Sequence, residues 1–278
     1  IFAAVAAGAS VALRSAGLPL DEARGRQSGV ATTPPAAAPA ANAITSGVRD
    51  AAWSPDSKRL AVSRFDAIWT LTPDGRDARR LVPKPGDWIT ERDPDWAPDG
   101  KAIAFSASTN GQFDLWTAPA AGGAATRVTS MPGDERWPSW TRDGRLVFSH
   151  REPRGVWQLF VTPVAGASAP ARLTPDEAAE WQGRVSPDGR KLVMISDRDP
   201  QGTDDSDVWV RAMPGANGQA GSATSVRVTN APGAESFPVW APDNARVAYA
   251  AVRAGGQNGV WVSVVPAADA ALPGARGA

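Results

Sequence analysis

The chain has no cysteine and a single histidine, His150. Disulfides, thiolate metal sites and cysteine nucleophiles are therefore excluded, as are metal sites built on several histidines. Charge of one sign is also lacking, because 29 basic side chains face 29 acidic ones. Phosphate backbones are held by clustered basic surface, so nucleic acid is not expected as a partner. Neither a phosphate loop nor a dinucleotide fingerprint occurs, and no Gly-x-Ser-x-Gly elbow presents Ser149 beside His150. No catalytic residue and no cofactor is assigned on these grounds.

Long hydrophobic runs are missing too. The apolar run at residues 1–13, IFAAVAAGASVAL, is shorter than the roughly 20 residues that span a bilayer. Residues 1–20 read instead as the apolar part of a secretory signal, which predicts a periplasmic or secreted protein without a stable transmembrane span. Residues 21–42 are rich in Pro and Ala without hydrophobic periodicity and read as a linker. Residues 267–278 read as a disordered tail.

What the chain has in excess is tryptophan, 12 residues against one Tyr and seven Phe. An imbalance of that kind suggests a packing position used many times. One pattern does recur across residues 43–266. Its anchor is WSPDS (53–57), WAPDG (96–100), WTRDG (140–144), VSPDG (185–189) and WAPDN (240–244), at spacings of 43, 44, 45 and 55 residues. Pro at the second turn position presets φ, Asp at the third bonds its own backbone, and Gly or Asn at the fourth accepts positive φ. Each turn predicts a hairpin.

A β-type run follows every turn: RLAVS, AIAFS, RLVFS, KLVMIS and RVAYA. A third strand then carries Trp69, Trp116, Phe160, Trp209 or Trp261, and four copies add a short fourth strand containing RLV, RVT, RLT or RVT. Four strands at a period of about 40–45 residues make one blade of a β-propeller. The expected fold is all-β, with four-stranded antiparallel blades. Five are counted, and the long last spacing leaves a sixth open. The fifth copy lacks its fourth strand. Ala43-Ile44-Thr45 is expected to supply it and close the ring. The Trp69, Trp116, Trp209 and Trp261 series is expected to pack between blades.

The Trp-Ser-Pro-Asp turn, the Asp-Leu-Trp strand at 114–116 and the Gly-Gly…Arg-Val-Thr close at 122–129 resemble the propeller repeats of the TolB family. Similar repeats accompany prolyl-oligopeptidase-type and tricorn-type peptidases and some amidohydrolases. The resemblance implies the fold. It differs from TolB itself, which carries an α/β domain before a propeller that is usually six-bladed.

Five residues before the anchor, four copies carry Glu91, Glu135, Glu180 and Glu235, where the first has Val48. Arg49, Arg92 and Arg136 stand at the next position. Two readings follow. The carboxylates form an acidic ring at a channel mouth, suited to a cation or a basic peptide segment, or each pairs with a nearby Arg. The five aspartates of residues 197–207 read as a solvated loop rather than a calcium loop. The functional expectation is a monomeric, non-catalytic, periplasmic scaffold for a protein or peptide. The alternative is an accessory propeller of a larger secreted hydrolase.

Overall fold

In a computed structural model the protein is described over residues 47–83, 88–109, 111–164, 169–174, 178–198, 206–214, 225–253 and 256–266. The signal-like segment, the linker, the strand expected at Ala43-Ile44-Thr45, the tail and most of the acidic loop lie outside them. Blade 1 comprises β1 (Val48–Trp53), β2 (Leu60–Arg64), β3 (Ala67–Leu71) and β4 (Arg79–Arg80). Blade 2 comprises β5 (Trp88–Trp96), β6 (Ala102–Thr109), β7 (Gln112–Pro119) and β8 (Thr126–Arg127). Blade 3 has β9 (Asp134–Trp140), β10 (Arg145–Arg151), β11 (Gln158–Pro163) and β12 (Ala171–Arg172). Blade 4 has β13 (Glu180–Val185), β14 (Lys191–Ser196), β15 (Asp207–Ala212) and β16 (Val226–Arg227). Blade 5 has β17 (Glu235–Trp240), β18 (Arg246–Arg253) and β19 (Gln257–Val264). Every blade is an antiparallel meander, and the five form a propeller.

The anchor turns fold as their chemistry requires. The Asp56 carboxylate accepts from the Lys58 amide at 3.0 Å, and Asp99, Asp188 and Asp243 accept equivalently from Lys101, Arg190 and Ala245. The fourth turn residues are left-handed, including the non-glycines Ser57 (φ 63°) and Asn244 (φ 58°).

The apolar runs after the turns form the second strands, and each is buried on both faces. Alternation along the strand divides the side chains between neighbours. Ile103 and Phe105 pack toward blade 1 with Ile68 and Leu81, while Ala104 packs toward blade 3 with Leu146 and Phe148. Val147 joins Leu192 and Met194 between blades 3 and 4, and Val193 and Ile195 join Val247 and Tyr249 between blades 4 and 5. Four core clusters thus fill four seams. Trp209 packs in the third and Trp116 against the first, as expected of inter-blade residues. Trp261 pairs with Tyr249 and so lies on the face of blade 5 toward blade 4, yet it stays 41 % exposed; Val262 at 51 % and Val264 at 70 % are exposed on the opposite face.

Two Pro-Gly pairs set the entry into the innermost strands. Gly133 (φ +108°) and Gly233 (φ +111°) pass so close to the ends of β10 and β18 that an added Cβ would lie 2.1 Å from the Arg151 carbonyl oxygen and 2.0 Å from that of Val252. A backbone oxygen cannot yield as a flexible side chain can. Gly133→Ala should lower stability by about 2–4 kcal/mol. Urea unfolding checks this as a lower midpoint at unchanged slope.

Candidate functional site

The first strand of each blade is innermost. A cavity of about 440 Å3 on the axis is lined from all five, including Trp53, Trp96, Trp140 and Trp240. Toward the start of those strands it narrows. A second pocket of about 50 Å3 shares Ala51, Pro94, Arg184 and Val239 with the first and adds Asp50, Asp93, Trp137, Gln182 and Phe237.

Those five narrow-level residues have one origin. Every inner strand loses register with its partner at this point. Each then carries one left-handed non-glycine residue: Asp50 (φ 40°), Asp93 (φ 55°), Trp137 (φ 54°), Gln182 (φ 55°) and Phe237 (φ 53°). A β-bulge re-aims a side chain and interrupts the ladder. In three blades the next residue is Pro94, Pro138 or Pro238, which tolerates the interruption because it has no N–H to pair. Left-handed backbone at Trp137 or Phe237 costs on the order of 1–3 kcal/mol, a strain the surrounding sheet must hold.

Side chains tie the bulges together across blades. Asp93 accepts from Arg136 Nε at 2.6 Å, from Arg136 Nη2 at 3.1 Å and from Ser106 Oγ at 3.1 Å. Asp50 accepts from Ser63 Oγ at 2.7 Å, and burial together with the neighbouring Asp93 holds its carboxyl above the usual range. The Phe237 amide donates to Gln182 Oε1 at 2.7 Å. Outward from this ring runs a ladder of rings and guanidinium groups. Arg136 lies 4.4 Å from the Phe113 ring centre and 4.9 Å from that of Trp137. Trp137 is 4.9 Å from Trp157, over which Arg151 sits at 4.7 Å.

Sequence reasoning placed its candidate site at Glu91, Glu135, Glu180 and Glu235. The structure places these carboxylates inside the walls, at most 1 % exposed, and none lines either axial cavity. Each braces its surroundings. Glu91 Oε2 accepts from the Ile68 amide of blade 1 at 2.6 Å. In blades 2 and 4 a threonine intervenes: the Leu115 and Val208 amides donate to Thr129 and Thr229, which donate to Glu135 at 2.8 Å and Glu235 at 3.1 Å. Cations complete the environment: Arg80 at 3.8 Å from Glu91, Arg198 on Glu180, and Arg253 at 2.5 Å from Glu235. Blade 3 uses His150 instead. It is buried in β10, with Nδ1 3.5 Å from Glu135 and its ring edge-on to Phe160. Val48 replaces the carboxylate in blade 1.

The three arginines divide. Arg92 lies 3.3 Å from Asp66 of blade 1, Arg136 clamps Asp93 of blade 2, and Arg49 is exposed. The bulge ring itself went unread in the sequence, because the five residues share no side-chain type. A signal existed in Pro94, Pro138 and Pro238, each inside a strand two residues before an anchor Trp. Among the described residues no cluster of three or more His, Asp or Glu could hold a metal ion, and no helix is long and apolar enough to cross a membrane.

The buried carboxylates carry a pH signature. Burial pushes Glu235 from 4.5 up to about 7, against the pull of Arg253 and Thr229. The folded state therefore holds this proton more tightly than the unfolded chain. Stability should be greatest below pH 4.5 for this group and fall as pH rises toward 7, by up to about 3 kcal/mol. Chemical unfolding measured across pH 4–8 checks this, and Glu235→Gln should flatten the slope.

The comparisons agree with this geometry. The family described as the Tricorn protease N-terminal beta propeller domain matches residues 48–196, more than half of the chain. A comparison with curated proteins returned no match. Among solved structures, a putative TolB from Agrobacterium tumefaciens aligns with a TM-score of 0.63 at 18% identity, over 79% of this chain and 91% of that one. TolB from Acinetobacter baumannii aligns at 0.59 and 20% identity, over 78% of this chain and 54% of that one. A puromycin-hydrolyzing peptidase from Mycobacterium tuberculosis aligns at 0.54 and 17% identity, over 78% of this chain and 36% of that one. The chain thus spans about half of the second structure and about a third of the third. The likenesses establish a TolB-like propeller, and the chain belongs to the family of the tricorn protease N-terminal beta propeller.

Proposed function

We propose that this propeller is a non-catalytic binding module of the periplasm or cell exterior that captures a protein or peptide at the bulged end of its axis. The observation that carries the reading is the ladder Phe113, Arg136, Trp137, Trp157, Arg151, which touches the channel at Trp137 and spans blades 2 and 3. Trp and Arg are the side chains that concentrate binding energy in protein interfaces, because they bury much area for little lost freedom. Phe65 adds to it, 74 % exposed in a left-handed turn beside the start of β1. Strain held in the bulges at Asp50, Trp137 and Phe237, which stay partly exposed, fits side chains presented for contact, while Asp93 and Gln182 are buried beside them. The signal-like start of the chain supports the location.

Arg92, Arg136 and Arg151 at this end are each paired with a carboxylate, so its aromatic rings favour a segment with aromatic residues. A basic segment, which the four Glu positions suggested, would need carboxylates that lie buried between blades. Trp157→Ala and Arg151→Glu together should lower capture of proteins from an envelope extract roughly tenfold or more, at an unchanged melting temperature. Equal capture by variant and parent would sink the reading.

A second reading is favoured by the matched family, the propeller of a protease, and by the short span of the aligned peptidase. In it the chain is the accessory propeller of a larger hydrolase. Sequencing the intact reading frame decides: a Gly-x-Ser-x-Gly elbow or a His-x-His region outside these residues supports it, and a frame with neither on either side removes it.

A further inference from the structure

The wide part of the axial channel is a separate feature from the bulged end. It lies on the far side of the constriction and reaches the anchor turns at Pro187 and Pro242. Its volume of about 440 Å3 falls within the range of small-ligand sites, roughly 300–1,000 Å3. Apart from one acid, one base and Ser139, whose hydroxyl accepts from the Val185 amide at 3.1 Å, its walls are indoles, prolines and small apolar side chains.

The acid is Asp95 and the base Arg184. Asp95 is held by one bond, from the Trp140 amide to Oδ2 at 2.9 Å, and Oδ1 has no hydrogen-bond partner among the described residues. Arg184 spends one N–H on the Pro138 carbonyl oxygen at 2.7 Å. A guanidinium has five such donors, so most of its capacity is left over. Each group acts on the other through charge, yet the two form no contact pair within 4.0 Å among the described ion pairs. Both are thus fixed on rigid inner strands, with an unused side.

The charges decide which ligand fits. A lone anion would meet Arg184 but force Asp95 into a dry site without a partner. A lone cation would meet Asp95 and be repelled by Arg184. A molecule carrying both signs answers both groups and leaves no net charge buried. Its apolar part would lie against Trp53, Trp96 and Trp140, where aromatic surface offers area and favourable ring contacts.

We propose that this cavity binds a small zwitterion of the α-amino-acid type, free or as a short peptide with both termini unblocked, carrying a large apolar or aromatic side chain. The carboxylate pairs with Arg184 and the ammonium with Asp95. The site needs no protein partner at the bulged end, so it stands whether or not the capture reading holds.

The test uses the whole chain and four probes in isothermal calorimetry: phenylalanine, alanyl-phenylalanine, N-acetyl-phenylalanine and phenylalaninamide. At least one of the two zwitterions should bind saturably, with a change in tryptophan fluorescence. The acetylated and amidated forms should bind about tenfold more weakly or worse, each having lost one charge-assisted contact. Asp95→Asn should erase the penalty for acetylation alone, and Arg184→Met the penalty for amidation alone. Absence of saturable binding by both zwitterions would overturn the proposal, and so would equal binding of blocked and unblocked forms to the unaltered protein. The ligand-side comparison needs no variant to fold.

Discussion

A blade of this protein is apolar on both faces, and from that constraint most of the architecture follows. Its second strand sends Ile103 and Phe105 one way and Ala104 the other, so no blade can bury its own surface. Each fully buried Phe, Leu or Ile in a seam is worth about 1.5–3 kcal/mol, and that gain exists only when a neighbouring blade is present. Stacking must then continue from blade to blade, and the twist of each sheet turns the stack around an axis. The core lies between sheets rather than within one. Where blade 5 faces away from blade 4, Val262 and Val264 stay exposed among the described residues.

Polar bracing follows the same geometry. A carboxylate buried in an apolar seam is costly unless its oxygens are occupied. The preceding blade supplies one hydrogen bond to Glu91, Glu135 and Glu235, through the Ile68 amide directly or through Thr129 and Thr229 as relays, and a cation or His150 stands beside the other oxygen. This explains two motif positions together: the threonine that closes the fourth strand and the glutamate six residues later answer one another across a seam. Their hydrogen bonds link each blade to the next. His150 takes part in the same network in blade 3, which gives the lone buried histidine a charged neighbour.

The axis is where repetition becomes individuality. Five bulges at one level impose the same backbone but hold Asp50, Asp93, Trp137, Gln182 and Phe237, five different chemistries on a common frame. Beyond that level the anchor residues widen the channel into an indole-lined chamber with Asp95 and Arg184 set in its wall. A narrow level of about 50 Å3 separates two ends of differing chemistry.

The blade period, the hairpin turns, the strand order and the innermost position of the first strand were all legible in the amino-acid sequence. These are local properties: Pro, Asp and Gly act within a turn, and alternation acts within a strand. The prolines at 94, 138 and 238 even marked the bulges, although nothing in one strand says what five bulges enclose. The destination of Glu91, Glu135, Glu180 and Glu235 was not legible, because a carboxylate on an inner strand can face the axis or the seam, and the choice rests on amides and threonines in the blade before it. Sequence determined the blade and its repetition. Tertiary structure alone decided which side chains meet on the axis, since that depends on how far each blade is rotated against the next, and the rotation is set by packing between residues of neighbouring blades.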